Sequence, residues 1–426
     1  MRQCLGLALA LLAAFLAGCG ADPEVDGALR LALANAPRNL DPRLATDASS
    51  ERVNRLLYRR LVEFDAGSLP VPSLATWERL TPTHYRFTLE TAGRDFADGS
   101  RLSAEDVVAT YASILDPATA SPHRALLGII TRLSAEGQDQ VNFHLREPDP
   151  LFPAYLGIGI LPARLIRDGH RFQAQPMGSG PFALAAWPEP GRLVLTRRRD
   201  GRSIELVAVK DPNVRVMKLL RGEVQMLQGD LSPELVAYLG RSPGVQVTRV
   251  PGANFSYLGL NLEDQATGDP RVRRALALCL DRELILRYLF QGGGRPADGL
   301  FPPGHWAANP DLNGLAHDPE AARALLTEAG FGPGHPLRLT LKTSSDPFRV
   351  RLATAIQAQA AQVGIELKVQ SYDWGTFFGY SHAGRFHVYG LTWVCIRTPD
   401  IFRYAFARSA IPPDGSNRGR YRSPRA

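Results

Sequence analysis

Residues 337–371 read LRLTLKTSSDPFRVRLATAIQAQAAQVGIELKVQS. Leu337, Leu339 and Leu341 alternate with polar residues, the period of a strand with one buried face. Asp346-Pro347 then supplies a cap and a first helical residue, and no Gly or Pro follows until Gly364. Pro just inside a helix and Gly just past it is the usual asymmetry. From Ile365 the alternation resumes through Leu367 and Val369 to residue 371. Strand, helix and strand at this spacing predict a βαβ unit with parallel strands and a right-handed crossover. The fold class is therefore α/β.

Outward from this unit, the second half keeps the same grammar. Residues 386–393 read as a further strand. Asp269-Pro270 opens a helix to Leu278, Asp281 caps another to Phe290, and Asp318-Pro319-Glu320 starts a third that stops at Gly330. In the first half, 27–34, 85–90, 141–145, 193–197, 204–209 and 245–250 read as strands. Ser50 is placed to cap a helix with Val53, Leu56, Leu57, Leu61 and Val62 on one face. Ser103-Ala104-Glu105-Asp106 is a capping box, and Pro117 must end its helix. Residues 214–221 read as a helix, and Gly178-Ser179-Gly180-Pro181-Phe182 as a tight, conformationally demanding loop.

The amino end has the layout of a secretory signal: Arg2, an apolar run over 5–16, then Leu16-Ala17-Gly18-Cys19. The run is shorter than the roughly 20 apolar residues that span a bilayer. Small residues followed by Cys resemble a bacterial lipoprotein box, so 1–18 is expected to be removed and Cys19 to carry the lipid. Residues 19–27 are then a tether, and the chain is expected on the periplasmic side of the cell envelope. Gly20 is not an Asp, which leaves the choice of membrane open.

The 426 residues allow two or three domains. Net charge is +7, but the basic residues are spread along the chain, and no nucleic-acid motif accompanies Arg197-Arg198-Arg199. That triplet reads as a solvated strand end, and no nucleic-acid partner is expected. Beyond Cys4 and Cys19 only Cys279 and Cys395 remain, too few for a disulfide framework, although one bridge between them is open. The sequence lacks H-E-x-x-H, zinc-spaced Cys pairs, G-x-S-x-G and a P-loop. His84, His123 and His144 have no partner at ligand spacing, and 292–294 follows a helix rather than a strand. No catalytic residue, metal or cofactor is predicted. What stands out is an aromatic crowd: Trp374, Phe377, Phe378, Tyr380, Trp393, Phe402, Tyr404 and Phe406. It reads either as core or as the wall of a cleft.

Several further stretches share an order and spacing. They are Leu40-Asp41-Pro42, residues 85–87 leading to Phe96-Ala97-Asp98-Gly99, residues 102–108, residues 178–182, Tyr257-Leu258-Gly259-Leu260-Asn261, residues 272–276 ahead of Asp281-Arg282, Phe301-Pro302-Pro303, residues 321–330 and Val363-Gly364-Ile365. Together they resemble the family 5 extracellular solute-binding proteins, the oligopeptide-, dipeptide- and nickel-type receptors of ABC importers. The resemblance implies a two-lobed periplasmic-binding-protein-like fold with an extra domain in the first half. It implies 28–46 and 175–255 as a discontinuous first lobe, 47–174 as the extra domain and 256–426 as the second lobe. It further implies a monomer that encloses a small-molecule or peptide-like solute between its lobes and hands it to membrane permease subunits. An envelope sensory or structural lipoprotein reusing the fold is the competing reading, with a truncated non-functional product as a third.

For the ligand site the resemblance points to Trp393, Trp374 and Tyr372, with Val394, Cys395 and Arg397 beside them. Peptide-binding relatives carry an Asp three residues beyond such a Trp, to meet the ligand's ammonium; here Ile396 stands there. A buried ammonium without a partner is costly, so a free amine is not the expected ligand feature. Arg397 is instead expected either to meet a carboxylate or phosphate or to lie at the surface. Relatives continue well beyond the segment matching 417–421, so the chain is also expected to lack the end of the second lobe, leaving Phe402, Tyr404 and Phe406 exposed.

Overall fold

The computed structural model describes residues 27–229, 231–250, 252–394, 396–413 and 415–422. One sheet runs in the order Met226–Leu227, Leu29–Leu33, Ser203–Ala208, Arg192–Arg197, Phe182–Glu189. Leu29–Leu33 lies parallel to both Ser203–Ala208 and Met226–Leu227, and Ser203–Ala208, Arg192–Arg197 and Phe182–Glu189 form an antiparallel meander. Its apolar face packs on the helix Ala48–Leu57 through Leu33, Val53, Leu57 and Leu195. Asp47, not Ser50, caps that helix, accepting from the Ser50 amide. The Ser50 hydroxyl instead accepts from the amides of Arg38 and Asn39. The loop at 178–182 presses on the carboxyl end of this helix. A Cβ on Gly178 would sit 2.1 Å from the Leu57 carbonyl oxygen, so only glycine fits there. Arg198 is not merely solvated, since its guanidinium donates to the Asp95 and Phe96 carbonyls.

A second body is built on the antiparallel sheet Ala75–Thr81, His84–Leu89, Gln140–Leu145, Ile130–Glu136. The helix Ala104–Leu115 covers it. Its capping box forms as expected, the Ser103 amide donating to Asp106 at 2.7 Å. Phe87, Tyr111, Phe143 and Phe152 fill the centre, with ring centroids 5.3–5.6 Å from Phe143.

The third body carries the βαβ unit. Leu337–Ser344 and Ile365–Tyr372 pair in parallel over eight residues, linked by the helix Pro347–Gln362. Val388–Trp393 lies parallel to Leu337–Ser344 and antiparallel to Phe255–Leu260, which completes the sheet. One face, through Leu258, Leu339, Leu367 and Val388, packs on the helices Pro270–Leu278, Pro319–Glu328 and Pro347–Gln362. The other meets the helix Trp374–Ala383 through Tyr389 and Leu391. Cys279 is buried and free, and Cys395 lies outside the described residues. The expected strand at 245–250 does not form; Val250 is 80% exposed. Phe402, Tyr404 and Phe406 are each about half exposed.

Candidate ligand-binding site

Alternate residues of a strand share a face. In the third sheet Phe255 pairs with Trp393, Tyr257 with Leu391 and Gly259 with Tyr389, so these six positions lie on the face away from the three helices. A Cβ on Gly259 would lie 2.3 Å from the Tyr389 ring. Glycine therefore lets that ring lie across its partner strand, which brings the Tyr389 hydroxyl within 3.4 Å of the Tyr257 hydroxyl. Trp393 stacks on Tyr257, centroids 6.2 Å apart and planes at 11°, and meets Tyr404 edge-on at 6.1 Å. Burial raises the pKa of both Tyr257 and Tyr389, and the Arg418 charge opposes the rise.

The strand Ile365–Tyr372 ends where Asp373 caps the next helix, its carboxylate accepting from the Thr376 amide. That places Trp374 at the first helical position, 59% exposed, with its ring stacked on Phe378 at 5.8 Å. Phe377, one residue before, points into the small core with Phe386, Tyr389 and Leu391. Tyr372 packs against the same core and tilts onto Tyr380 at 4.9 Å. The Lys342 ammonium sits 3.7 Å from the Tyr380 centroid, and burial lowers its pKa.

One further segment closes the arrangement. Asn417 is buried, and its amide donates to the carbonyls of Phe406, Ala407 and Tyr421 while accepting from the Tyr421 amide. The Gly419 carbonyl accepts from Leu262, just past the Phe255–Leu260 strand. Held between these anchors, Arg418 is 5% exposed. Its Cζ lies 5.1 Å from the Phe378 centroid and 5.6 Å from that of Trp393, close enough for cation–π attraction. Arg418 and Phe378 thus connect the two tryptophans the sequence singled out.

Trp393 and Trp374 accordingly belong to one array, with Tyr372 at its margin. Val394 follows on the strand end and is 61% exposed, while Cys395 is outside the described residues. Arg397 faces elsewhere: its guanidinium lies 4.7 Å from the Phe64 ring, and its carbonyl is 3.0 Å from the His305 imidazole. Ile396 is buried, 5% exposed, as an apolar side chain should be. Phe378 stands in the aromatic crowd seen in the sequence, whereas Tyr257, Tyr389 and Arg418 were not singled out for the site. For Tyr257 and Tyr389 the signal, a glycine facing an aromatic, exists only once the two strands are paired. For Arg418 there was none, because its burial depends on the Asn417 anchor.

The array sits at the carboxyl ends of the parallel strands, where open α/β sheets bind ligands. An open groove of about 1140 Å³ lies at the amino ends around Phe331, Leu339, Gln357 and Leu367. Its arginines are already engaged, Arg338 with Glu366 at 2.7 Å and Arg323 with Glu320 at 2.5 Å. None of its lining side chains carries a buried polar atom without a partner, whereas Arg418 does, so the array is the stronger site. Among the described residues no group of three or more His, Cys, Asp or Glu side chains is placed to hold a metal.

Residues 69–411 match the model of the bacterial extracellular solute-binding proteins, family 5. The chain belongs to this family. It is 30% identical over 460 residues to di/tripeptide-binding protein 2 of Pseudomonas aeruginosa, covering 99% of this chain and 86% of that one. It is 27% identical over 425 residues to the dipeptide-binding protein of Escherichia coli, covering 90% and 79%. In solved structures the fold is similar to NikZ from Campylobacter jejuni, crystallised with Ni(L-His), at TM-score 0.81 and 23% identity over 93% of this chain and 84% of that one. It is also similar to CtaP from Listeria monocytogenes, at TM-score 0.83 and 21% identity over 93% and 84%. The fold is the two-lobed α/β fold of periplasmic binding proteins. The family consists of solute-binding receptors rather than enzymes.

Proposed function

We propose that the array of Trp374, Phe378, Arg418, Trp393 and Tyr257 is where this receptor holds a peptide-like organic solute. The protein is a solute-binding receptor of an ABC importer. A ligand seated on one lobe and touched by the other favours the closed state by its extra contacts there, and the closed form passes it to the permease. The observation that carries the reading is the convergence of two tryptophans, one of them more than half exposed, at the carboxyl ends of the parallel strands. The lobe boundaries that go with it are 28–46 with 175–255, 47–174, and 256–426. Each large sheet falls within one of these to within a residue. Native mass spectrometry of the protein purified without refolding should show retained solute. Trp393→Ala should lose that solute while the empty protein melts within a few degrees of wild type. A Trp393→Ala protein that keeps the solute, or that unfolds, contradicts the assignment.

The receptor acts as a monomer tethered by lipid at Cys19. The anchor lies outside the described residues and is supported by the sequence 15–20. No helix among the described residues is long and apolar enough to cross a membrane. Cys19→Ser should leave the protein soluble or uncleaved. A variant that still partitions with membranes at mature length would refute the anchor.

A further inference from the structure

Arg418 is the anomaly of the second lobe. Its Nε and Nη1 are buried and have no hydrogen-bond partner. No carboxylate lies within 4 Å of its guanidinium among the described residues, and the acids nearby are committed. Glu263 pairs with Arg420 at 3.4 Å and Arg422 at 2.6 Å, and Asp373 caps its helix. His382 offers no compensation, since burial and the charges of Arg418 and Arg420 hold its pKa down. Cation–π contact with Phe378 and Trp393 and the nearby hydroxyls of Tyr257 and Tyr389 offset part of the cost, yet a buried charge without a counter-ion remains expensive. A structural role does not require it: the segment is fixed by Asn417 and Gly419, whose bonds do not involve the Arg418 side chain.

Resting on the reading of the array as the ligand site, we infer that Arg418 receives a carboxylate of the solute. Arginine is suited to this, being always charged and presenting a planar set of donors. Among its neighbours are the side-chain rings of Phe378 and Trp393, with the exposed Trp374 stacked on Phe378. A ring can swing aside to admit an anion where backbone could not. Ile396, three residues beyond Trp393, supplies no acid for a solute's amine, while Arg418 supplies a cation, so recognition is turned toward the solute's acid. The sequence left Arg397 either in this role or at the surface; the geometry points to Arg418 instead.

The test uses two probe pools on the full-length chain, followed by intrinsic tryptophan fluorescence and calorimetry. One holds N-acetylated di- and tripeptides with a free carboxylate, the other C-amidated peptides with a free amine. Wild type should bind the first pool at least tenfold more tightly. Arg418→Met should lose that preference, and Arg418→Lys should keep part of it. Arg418→Met should also raise the melting temperature of the empty protein, because it replaces an unpaired buried charge by an apolar chain of similar length. A side chain kept for packing would show the opposite sign. Equal binding of both pools by wild type, or an undiminished preference in Arg418→Met, overturns the inference while leaving the receptor reading intact. If neither pool binds wild type and no solute co-purifies, the peptide-like reading itself falls, and this inference with it.

Discussion

Phe87, Tyr111, Phe143 and Phe152 form one aromatic cluster; Tyr257, Trp374, Phe378 and Trp393 form another. The rings in each touch at similar distances, 5.3–5.6 Å in the first and 5.8–6.2 Å between the stacked pairs of the second. Their polar handles differ. In the first, the Tyr111 hydroxyl donates to the Leu156 carbonyl at 3.0 Å, and every ring is buried. In the second, one tryptophan is mostly exposed and a guanidinium lies among the rings without an ion partner. Aromatic content therefore does not separate a core from a site. Completed hydrogen bonding marks the core, and unmatched polarity beside an accessible ring marks the site.

Phe143→Ala should have the largest effect on stability. Emptying the centre of the first cluster should cost about 3–5 kcal/mol, visible as a large fall in the denaturant midpoint. A loss below 1 kcal/mol would mean that this cluster is loosely packed and the contrast is false.

Alkaline pH should weaken both clusters. Burial raises the pKa of Tyr111, Tyr257 and Tyr389, so the folded state holds these protons while the unfolded chain releases them near pH 10. Above that pH the unfolded state binds fewer protons, and stability falls. The loss is about 1.4 kcal/mol per fully buried tyrosine at pH 11. Urea midpoints between pH 8 and 11 check it. A flat profile would show that the hydroxyls ionise freely in the fold.

Gly259→Ala should cost about 1–3 kcal/mol by overpacking against the Tyr389 ring, and should weaken ligand binding by shifting Tyr257 and Trp393. Adding Tyr389→Ala should restore part of the stability. If it does not, the backbone rather than the ring sets the need for glycine.

Trp374→Ala should change stability least, by about 0.5 kcal/mol or less, as an exposed position should. It should still reduce affinity measurably in calorimetry. A large stability loss with unchanged affinity would reverse the assignment of the two clusters.

Local grammar made much of this legible. The Ser103–Asp106 box and the unit at 337–371 formed as read, because each depends on near neighbours in sequence. Where partners are distant the reading failed. Residues 245–250 alternate like a strand but found no neighbour to pair with. The strand Phe255–Leu260 went unread, its pattern interrupted by Gly259, whose purpose appears only opposite Tyr389. Ser50 has the side chain of a cap, but Asp47, three residues earlier, holds that place, and nothing local in sequence separates the two. At the site, Trp374 and Trp393 were legible from their placement after strands. Arg397 and Arg418 were indistinguishable as letters. Only Asn417, tied to the carbonyls of Phe406, Ala407 and Tyr421, buries one of them among the rings.

The most direct test compares tryptophans from the two clusters in one sample. Trp77 stacks on Phe87 beside the first cluster, while Trp374 and Trp393 belong to the second. The protein is labelled with 5-fluorotryptophan, its resonances are assigned through single Trp→Phe variants, and it is titrated with the N-acetylated di- and tripeptide pool. The fluorine resonances of Trp374 and Trp393 should shift with saturation while that of Trp77 stays fixed. Saturable binding that moves Trp77 and leaves Trp374 and Trp393 in place would contradict the account.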